Sequence, residues 1–250
     1  MLLTNKYGLP EPIVRAIQND PYSSGVADIT TTSLVAPPQL FVLKKRYAAE
    51  LTEDVSDGIW RLVGQSIHSI LERAAPQGTI TEQRYYQRVN GWMLGGAIDL
   101  YDKDTLVDYK VTSVYSYLRG AKEEWIAQGN VNRWLLHKNG IDVKYLKNIL
   151  LLRDWAEWEL ERKKGYPPVQ VQTLDLPMWT LEETERFITE RIKIFQNAMK
   201  LPDNQLPKCS AEERWFNSKG VPKRCERYCL VKTKCHQYKN PEMADWVEAV

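Results

Sequence analysis

The order of apolar and polar positions divides the middle of the chain into helix-like and strand-like stretches. Between Ser56 and Ala75, the residues Ile59, Leu62, Val63, Ile67, Ile70, Leu71 and Ala74 recur every three or four positions, as one face of an amphipathic helix does. The next stretch, TITEQRYYQRVNGWMLGGAIDLYDKDTLVDYKVTS, changes to alternation with many β-branched residues and predicts three strands in a meander. EEWIAQGNVNRWLLHKNG predicts a second helix closed by Gly140. VKYLKNILLLRDW is apolar on both faces of an extended chain and predicts a central strand. Thr180 and Glu183 have the spacing of a capping box and open a long helix reaching about Lys200.

Outside this middle the periodicity fades. Residues 1–55, punctuated by GLPEP and APPQL, predict a surface segment of the same domain, with a brief strand and helix in TTTSLVAPPQLFVLKKRY. Residues 201–250 are rich in Cys, Lys and Pro and predict a small basic module packed on the core but held by something other than apolar burial. The expected architecture is α/β: a central mixed β-sheet flanked by helices over residues 56–200, with a C-terminal four-Cys metal-binding module. At 250 residues the chain suits one large domain, alone or with a small appendage.

Composition alters this picture only in the tail. With 43% hydrophobic and 26% charged residues the chain is of ordinary globular composition. Its longest aliphatic run, Ile149 to Leu152, is far short of the roughly 20 residues that cross a bilayer. MLLTNKYGLPEP lacks the basic-then-apolar order of a secretion signal, so a cytoplasmic protein without a membrane partner is expected. The net charge is +2, but Lys200 to Asn240 holds ten Lys or Arg against four Asp or Glu, leaving +6 there and −4 elsewhere. Such a tail suits a polyanionic partner or, equally, a solvated face.

The meander carries unexpected charge. Asp108 and Lys110 share one face of their strand, and a turn at Lys103-Asp104 would make Asp99 and Asp108 direct cross-strand partners. Like charges so placed destabilise a sheet by roughly 0.2–1 kcal/mol, unless a cation lies between them. Two converging carboxylates on rigid strands make a hard-oxygen site for Mg²⁺ or Mn²⁺, with Lys110 placed to orient a water or offset phosphate charge. The alternative is an Asp108–Lys110 ion pair at a sheet edge with Asp99 starting a turn. Glu72, one turn after His68 on the predicted helix, is a candidate hydrogen-bond acceptor for the His68 ring, and Glu82 on the preceding strand is a further candidate metal contact.

Asp99 followed by Asp108-Tyr109-Lys110 across a hairpin resembles the signature of the PD-(D/E)XK nuclease superfamily. GQSIHSILE, with Gly64, His68, Leu71 and Glu72, is similar to the helix motif of its RecB-like exonuclease branch, which includes the CRISPR-adaptation nucleases. The resemblance implies a restriction-endonuclease-like core and a metal held by His68, Asp99, Asp108 and the Tyr109 carbonyl, with Lys110 catalytic. It also implies a Gln-x-x-x-Tyr helix contacting substrate near the scissile phosphate. Gln128 matches, whereas the tyrosine position is Asn132.

All four cysteines lie within 27 residues, as Cys209-x15-Cys225-x3-Cys229-x5-Cys235. Clustered Cys in a chain expected in the cytoplasm argue for metal over disulfides, and four thiolates suit either Zn²⁺ or an iron–sulfur cluster. The RecB-like resemblance favours a [4Fe–4S] cluster, although its pattern is Cys-x2-Cys-x5-Cys with the first Cys before the core. His236 is a spare candidate ligand. Lys219, Lys223, Arg224, Arg227, Lys232 and Lys234, interleaved with Trp215, Phe216 and Tyr228, form a nucleic-acid groove, or else the rings cover the metal site and the cations are solvated.

The expectation is thus a Mg²⁺/Mn²⁺-dependent deoxyribonuclease, exonucleolytic on DNA ends or single strands and leaving a 5′-phosphate, in recombination, repair or viral DNA metabolism. Its rivals are a non-catalytic nucleic-acid-binding protein on the same fold and a zinc-stabilised interaction module. The pattern specifies no oligomeric state.

Overall fold

In a computed structural model of the chain, residues 2–240 are described; Met1 and residues 241–250, the end of the expected four-Cys module, lie outside them. The elements run β1 (Leu2–Thr4), α1 (Glu11–Gln18), β2 (Ile29–Thr30), α2 (Thr31–Val35), α3 (Pro38–Arg46), β3 (Thr52–Asp54), α4 (Ile59–Ala74), β4 (Ile80–Val89) and β5 (Trp92–Asp102). They continue with β6 (Thr105–Thr112), α5 (Val114–Leu118), α6 (Glu123–Lys138), β7 (Tyr145–Leu152), β8 (Val171–Asp175), α7 (Leu181–Ala198), α8 (Ala211–Arg214) and α9 (His236–Lys239).

The described residues fall into two compact units, one of residues 21–35 and 59–189, the other of 2–20, 36–58 and 190–240. Much of the Pro-punctuated N-terminal stretch groups with the cysteine-bearing end of the chain.

The first unit is a six-stranded mixed sheet flanked by helices, with order β2-β5-β6-β7-β8 and β4 also paired to β5. The expected meander is β4-β5-β6, antiparallel throughout. A crossover through α5 and α6 then returns the chain parallel to β6 as β7, and β8 closes the edge antiparallel. β7 lies between β6 and β8 and alternates buried with half-buried residues, which is why its sequence reads as apolar on both faces. The buried face of α6, with Val131, Trp134, Leu135 and Leu136, packs on the sheet. Glycine matters most at Gly96 on β5: a Cβ there would come 2.4 Å from Asn132 Oδ1 on α6 and 2.6 Å from Thr31 Oγ1 on α2. The bare backbone lets both helices approach the strand that carries Asp99. At the start of α7 the capping box forms, the Glu183 N–H donating to Thr180 Oγ1 at 3.1 Å and the Thr180 N–H to Glu183 Oε2 at 2.7 Å.

The second unit is built of short helices and one small strand pair. β1 and β3 form a short parallel pair, closed by Asp54, whose carboxylate accepts from the Thr4 hydroxyl, the Lys6 N–H and both donors of Ser56. Its apolar cluster gathers Val42, Leu43, Leu51, Ala198, Leu206, Val231 and Cys235 from distant parts of the sequence.

Candidate active site

The two-residue turn expected between β5 and β6 is present. Lys103 and Asp104 have φ of +46° and +66°, the left-handed pair that a type I′ hairpin requires. The ladder runs Asp102↔Thr105, Tyr101↔Leu106 and Leu100↔Val107. One step further this register sets Asp99 opposite Asp108, and there the ladder ends. The Tyr109 N–H donates to the Asp99 side chain (Oδ2, 2.8 Å). β6 stays beside β7 along its whole length, whereas β5 pairs with β2 at Leu94 and Gly95, so the two strands part beyond the acids.

Three ligand-type side chains converge on the fork. His68 from α4, Glu82 from β4 and Asp99 from β5 each offer one atom within 4.8 Å of the others. His68 Nδ1 lies 3.2 Å from Glu82 Oε1 and 3.6 Å from Asp99 Oδ1, and Nε2 lies 3.2 Å from the Tyr109 carbonyl oxygen. The Glu82 contact, with the charge of Asp99, raises the imidazole pKa well above its ordinary value against the opposing effect of burial. Glu82, rather than the exposed Glu72, is therefore the acceptor at the ring. Glu82 also stands opposite Asp99 between the pairs Thr81↔Leu100 and Gln83↔Ile98, with a φ of +46°. A left-handed non-glycine residue within a strand costs on the order of 1–3 kcal/mol and is typical of functional sites. Gly64 makes no close approach: a Cβ there would touch nothing within 4 Å.

Asp108 is turned toward a second group beside the first. Its Oδ1 accepts from Gln128 Nε2 at 3.1 Å, and Lys110 Nζ donates to Gln128 Oε1 at 3.1 Å. Lys110 Nζ also lies 2.6 Å from Asp108 Oδ2, so the ammonium and the carboxylate form an ion pair. Burial depresses the Lys110 pKa, but the Asp108 carboxylate outweighs it and the net shift is upward, holding the amine as an ammonium. Asp99 is pushed the other way for an acid. Burial, then repulsion from Asp108, raise its pKa despite His68, Lys110 and the Tyr109 N–H. Asn132, at the tyrosine position of the resemblance, is 4% exposed and donates inward to the Ala97 carbonyl at 3.4 Å, out of a substrate's reach.

The donor set fits a hard divalent cation. Two carboxylates repel at close quarters, and His68, Glu82 and Asp99 each present one ligand atom within 4.8 Å of the others. His68, Glu82, Asp99 and the Tyr109 carbonyl are brought together, with Asp108, Lys110 and Gln128 alongside.

The four cysteines lie in the second unit and form no disulfide among the described residues. Burial raises Cys209, Cys229 and Cys235, and Cys209 is raised further by Glu213 and by each of the other three. Gln237 ties this stretch together, accepting from the Cys209 N–H at 2.9 Å and donating to its carbonyl at 3.0 Å. Arg224 to Tyr228, which contains Cys225 and leads into Cys229, is a π-helical turn. The tail cations are partly engaged. Arg224 stacks on Trp215, Lys232 donates to the Glu226 carbonyl and Lys234 pairs with Glu50.

No family model matches the chain, and no curated protein does. Among solved structures it is similar to SSO0001, with 14% identity, a TM-score of 0.57, and coverage of 90% of this chain and 94% of that one. A further match, to the "Putative exonuclease" of Eubacterium rectale, has 14% identity and a TM-score of 0.34, covering 67% of this chain and 69% of that one. The first likeness is one of fold alone. Among the described residues no helix is long and apolar enough to cross a membrane.

Proposed function

We propose that the protein is a metal-dependent nuclease acting on DNA. The observation that carries this reading is the forked hairpin, in which Asp99 and Asp108 stand opposite each other with His68, Glu82 and Lys110 gathered round them. A purely structural sheet has no use for a buried, mutually repelling acid pair. The PD-(D/E)XK resemblance of the same residues supports the reading independently of these distances.

In this proposal Asp99, Asp108, His68 and the Tyr109 carbonyl hold Mg²⁺ or Mn²⁺, and Glu82 orients the His68 ring. When bound, such an ion activates a water and neutralises phosphate charge. Lys110, steadied by Gln128, presents an ammonium where negative charge grows on the phosphate. Gln128 therefore acts chiefly by holding Asp108 and Lys110 in place.

The four cysteines are proposed to hold a [4Fe–4S] cluster, or alternatively Zn²⁺. Four cysteines in a stretch with few apolar side chains, three of them with thiols that burial raises, suit a centre that both deprotonates them and organises the chain. The π-helical turn absorbs the extra residue between Cys225 and Cys229 relative to Cys-x2-Cys.

End-labelled and circular DNA incubated with Mg²⁺ or Mn²⁺ tests the nuclease reading. Lys110→Ala is expected to lower turnover about 10²–10³-fold. A folded wild type no faster than that variant would leave a non-catalytic binding protein. Iron and zinc analysis of anaerobically purified protein decides the cluster.

A further inference from the structure

A second cluster of charge, opposite in sign, lies just beyond Lys110. β6 and β7 are parallel and leave the sheet side by side: the Arg153 N–H donates to the Thr112 carbonyl at 2.8 Å, and the Val114 N–H to Asp154 Oδ1 at 2.7 Å. This brings α5 and the first residues of α6 next to the end of β7, two residues past Lys110.

Each cation of this rim lies over a ring. The Arg153 guanidinium is 4.6 Å from the centre of the Trp60 ring, Arg119 is 5.6 Å from Tyr115, and Lys122 Nζ is 4.6 Å from Trp125. Trp60 and Tyr115 are nevertheless 54% and 67% exposed. The cations also act on one another. Burial lowers the Lys122 pKa, Glu124 opposes this, and Lys110, Arg153 and Arg119 lower it further. Like charges gathered round a half-buried ammonium are unfavourable by themselves, and an anion laid across them relieves the repulsion. Glu124 and Asp154 are the neighbouring acids, and the Asp154 carboxylate already accepts the Val114 N–H.

We propose that Trp60, Tyr115, Arg119, Lys122 and Arg153 form the binding surface for a single-stranded polynucleotide whose scissile phosphate lies at Lys110. The cations meet successive phosphates, while the exposed rings of Trp60 and Tyr115 stack on bases that a duplex would hide. The proposal rests on the nuclease reading for the end at Lys110, and it gives the substrate track to this rim rather than to the basic tail, where Lys232 and Lys234 already serve a carbonyl and a carboxylate.

Fluorescence anisotropy with a labelled oligodeoxynucleotide, its ribo counterpart and a duplex, in Ca²⁺ and across a salt series, tests the surface apart from catalysis. For Arg119→Gln/Arg153→Gln the slope of log affinity against log salt should fall by about 1.4, or roughly 0.7 per lost phosphate contact on a single strand. Trp60→Ala and Tyr115→Ala should each weaken single-strand binding about fivefold to a hundredfold, with a much smaller effect on the duplex. Lys219→Gln/Lys223→Gln should leave binding unchanged. Whichever of the two single strands binds more tightly identifies the sugar.

Unchanged affinity and salt slope in the rim variants, or loss confined to the tail variant, would overturn the proposal, as would a wild type that binds none of the three probes. A wild type that binds through the rim yet hydrolyses nothing sinks the nuclease reading and leaves the surface standing. Hydrolysis undisturbed in variants that bind normally does the reverse.

Discussion

The hairpin and the cysteine stretch are both candidate metal centres, but they relate to the fold in opposite ways. At the hairpin, strands paired along both edges and a helix packed through Gly96 place the ligands, so the acids face each other by virtue of the sheet. In the cysteine stretch the order is reversed. Residues 206–240 contain two four-residue helices, one π turn and few buried apolar side chains, so any bound ion would help to organise the chain that holds it. A site of the first kind should survive loss of its ion and lose only its chemistry, whereas the second should lose its structure.

The largest expected effect follows directly. Cys225→Ser, or metal stripping, should remove on the order of 10 kcal/mol of metal-coupled folding free energy. Amide-exchange protection should vanish over residues 206–240 while persisting in β4–β6; protection retained in both would erase the contrast. Next, Gln128→Leu should lower turnover by roughly 10–100-fold, as losing a group that orients ligands does, with the melting temperature little changed. A large melting shift would make Gln128 a packing residue instead.

Acid sharpens the contrast from the other side. The Lys6 N–H first, then Ser56 and Thr4, hold the Asp54 carboxyl far below its ordinary range. The unfolded chain binds that proton more readily, so the stabilisation is complete above about pH 4 and declines as pH falls. Melting of the wild type from pH 7 to pH 3 should show the decline, and Asp54→Asn should start lower at pH 7 and be flatter. The smallest effect belongs to the turn. Lys103→Gly, which releases a left-handed side chain, should change hairpin stability by only about 0.5–1 kcal/mol in the favourable direction and leave turnover intact.

Local features were legible in the sequence because local rules govern them. Alternation gave the meander, a two-residue turn gave its register, and Thr180 with Glu183 gave the start of α7. Asp99, Asp108, Lys110, His68 and Gln128 could be picked out because strand period and motif spacing carry them. Glu82 could be named but not placed, since no residue pattern announces a left-handed backbone in mid-strand. The rim around Trp60 and Arg153 was missed because it joins residues some 90 positions apart that meet only once β6 and β7 run parallel. The grouping of residues 2–20 and 36–58 with the cysteines was hidden for the same reason: Val42 and Leu51 find Val231 and Cys235 through packing, which leaves no period in the sequence.

The π turn at Arg224 to Tyr228 has a wider consequence. A chain that winds five residues where four would do can accept an insertion between two neighbouring thiols while the segments on either side keep their places. Cysteine centres recognised by counting intervals will then be overlooked in sequences where the helix pitch, and not the ligand geometry, has changed.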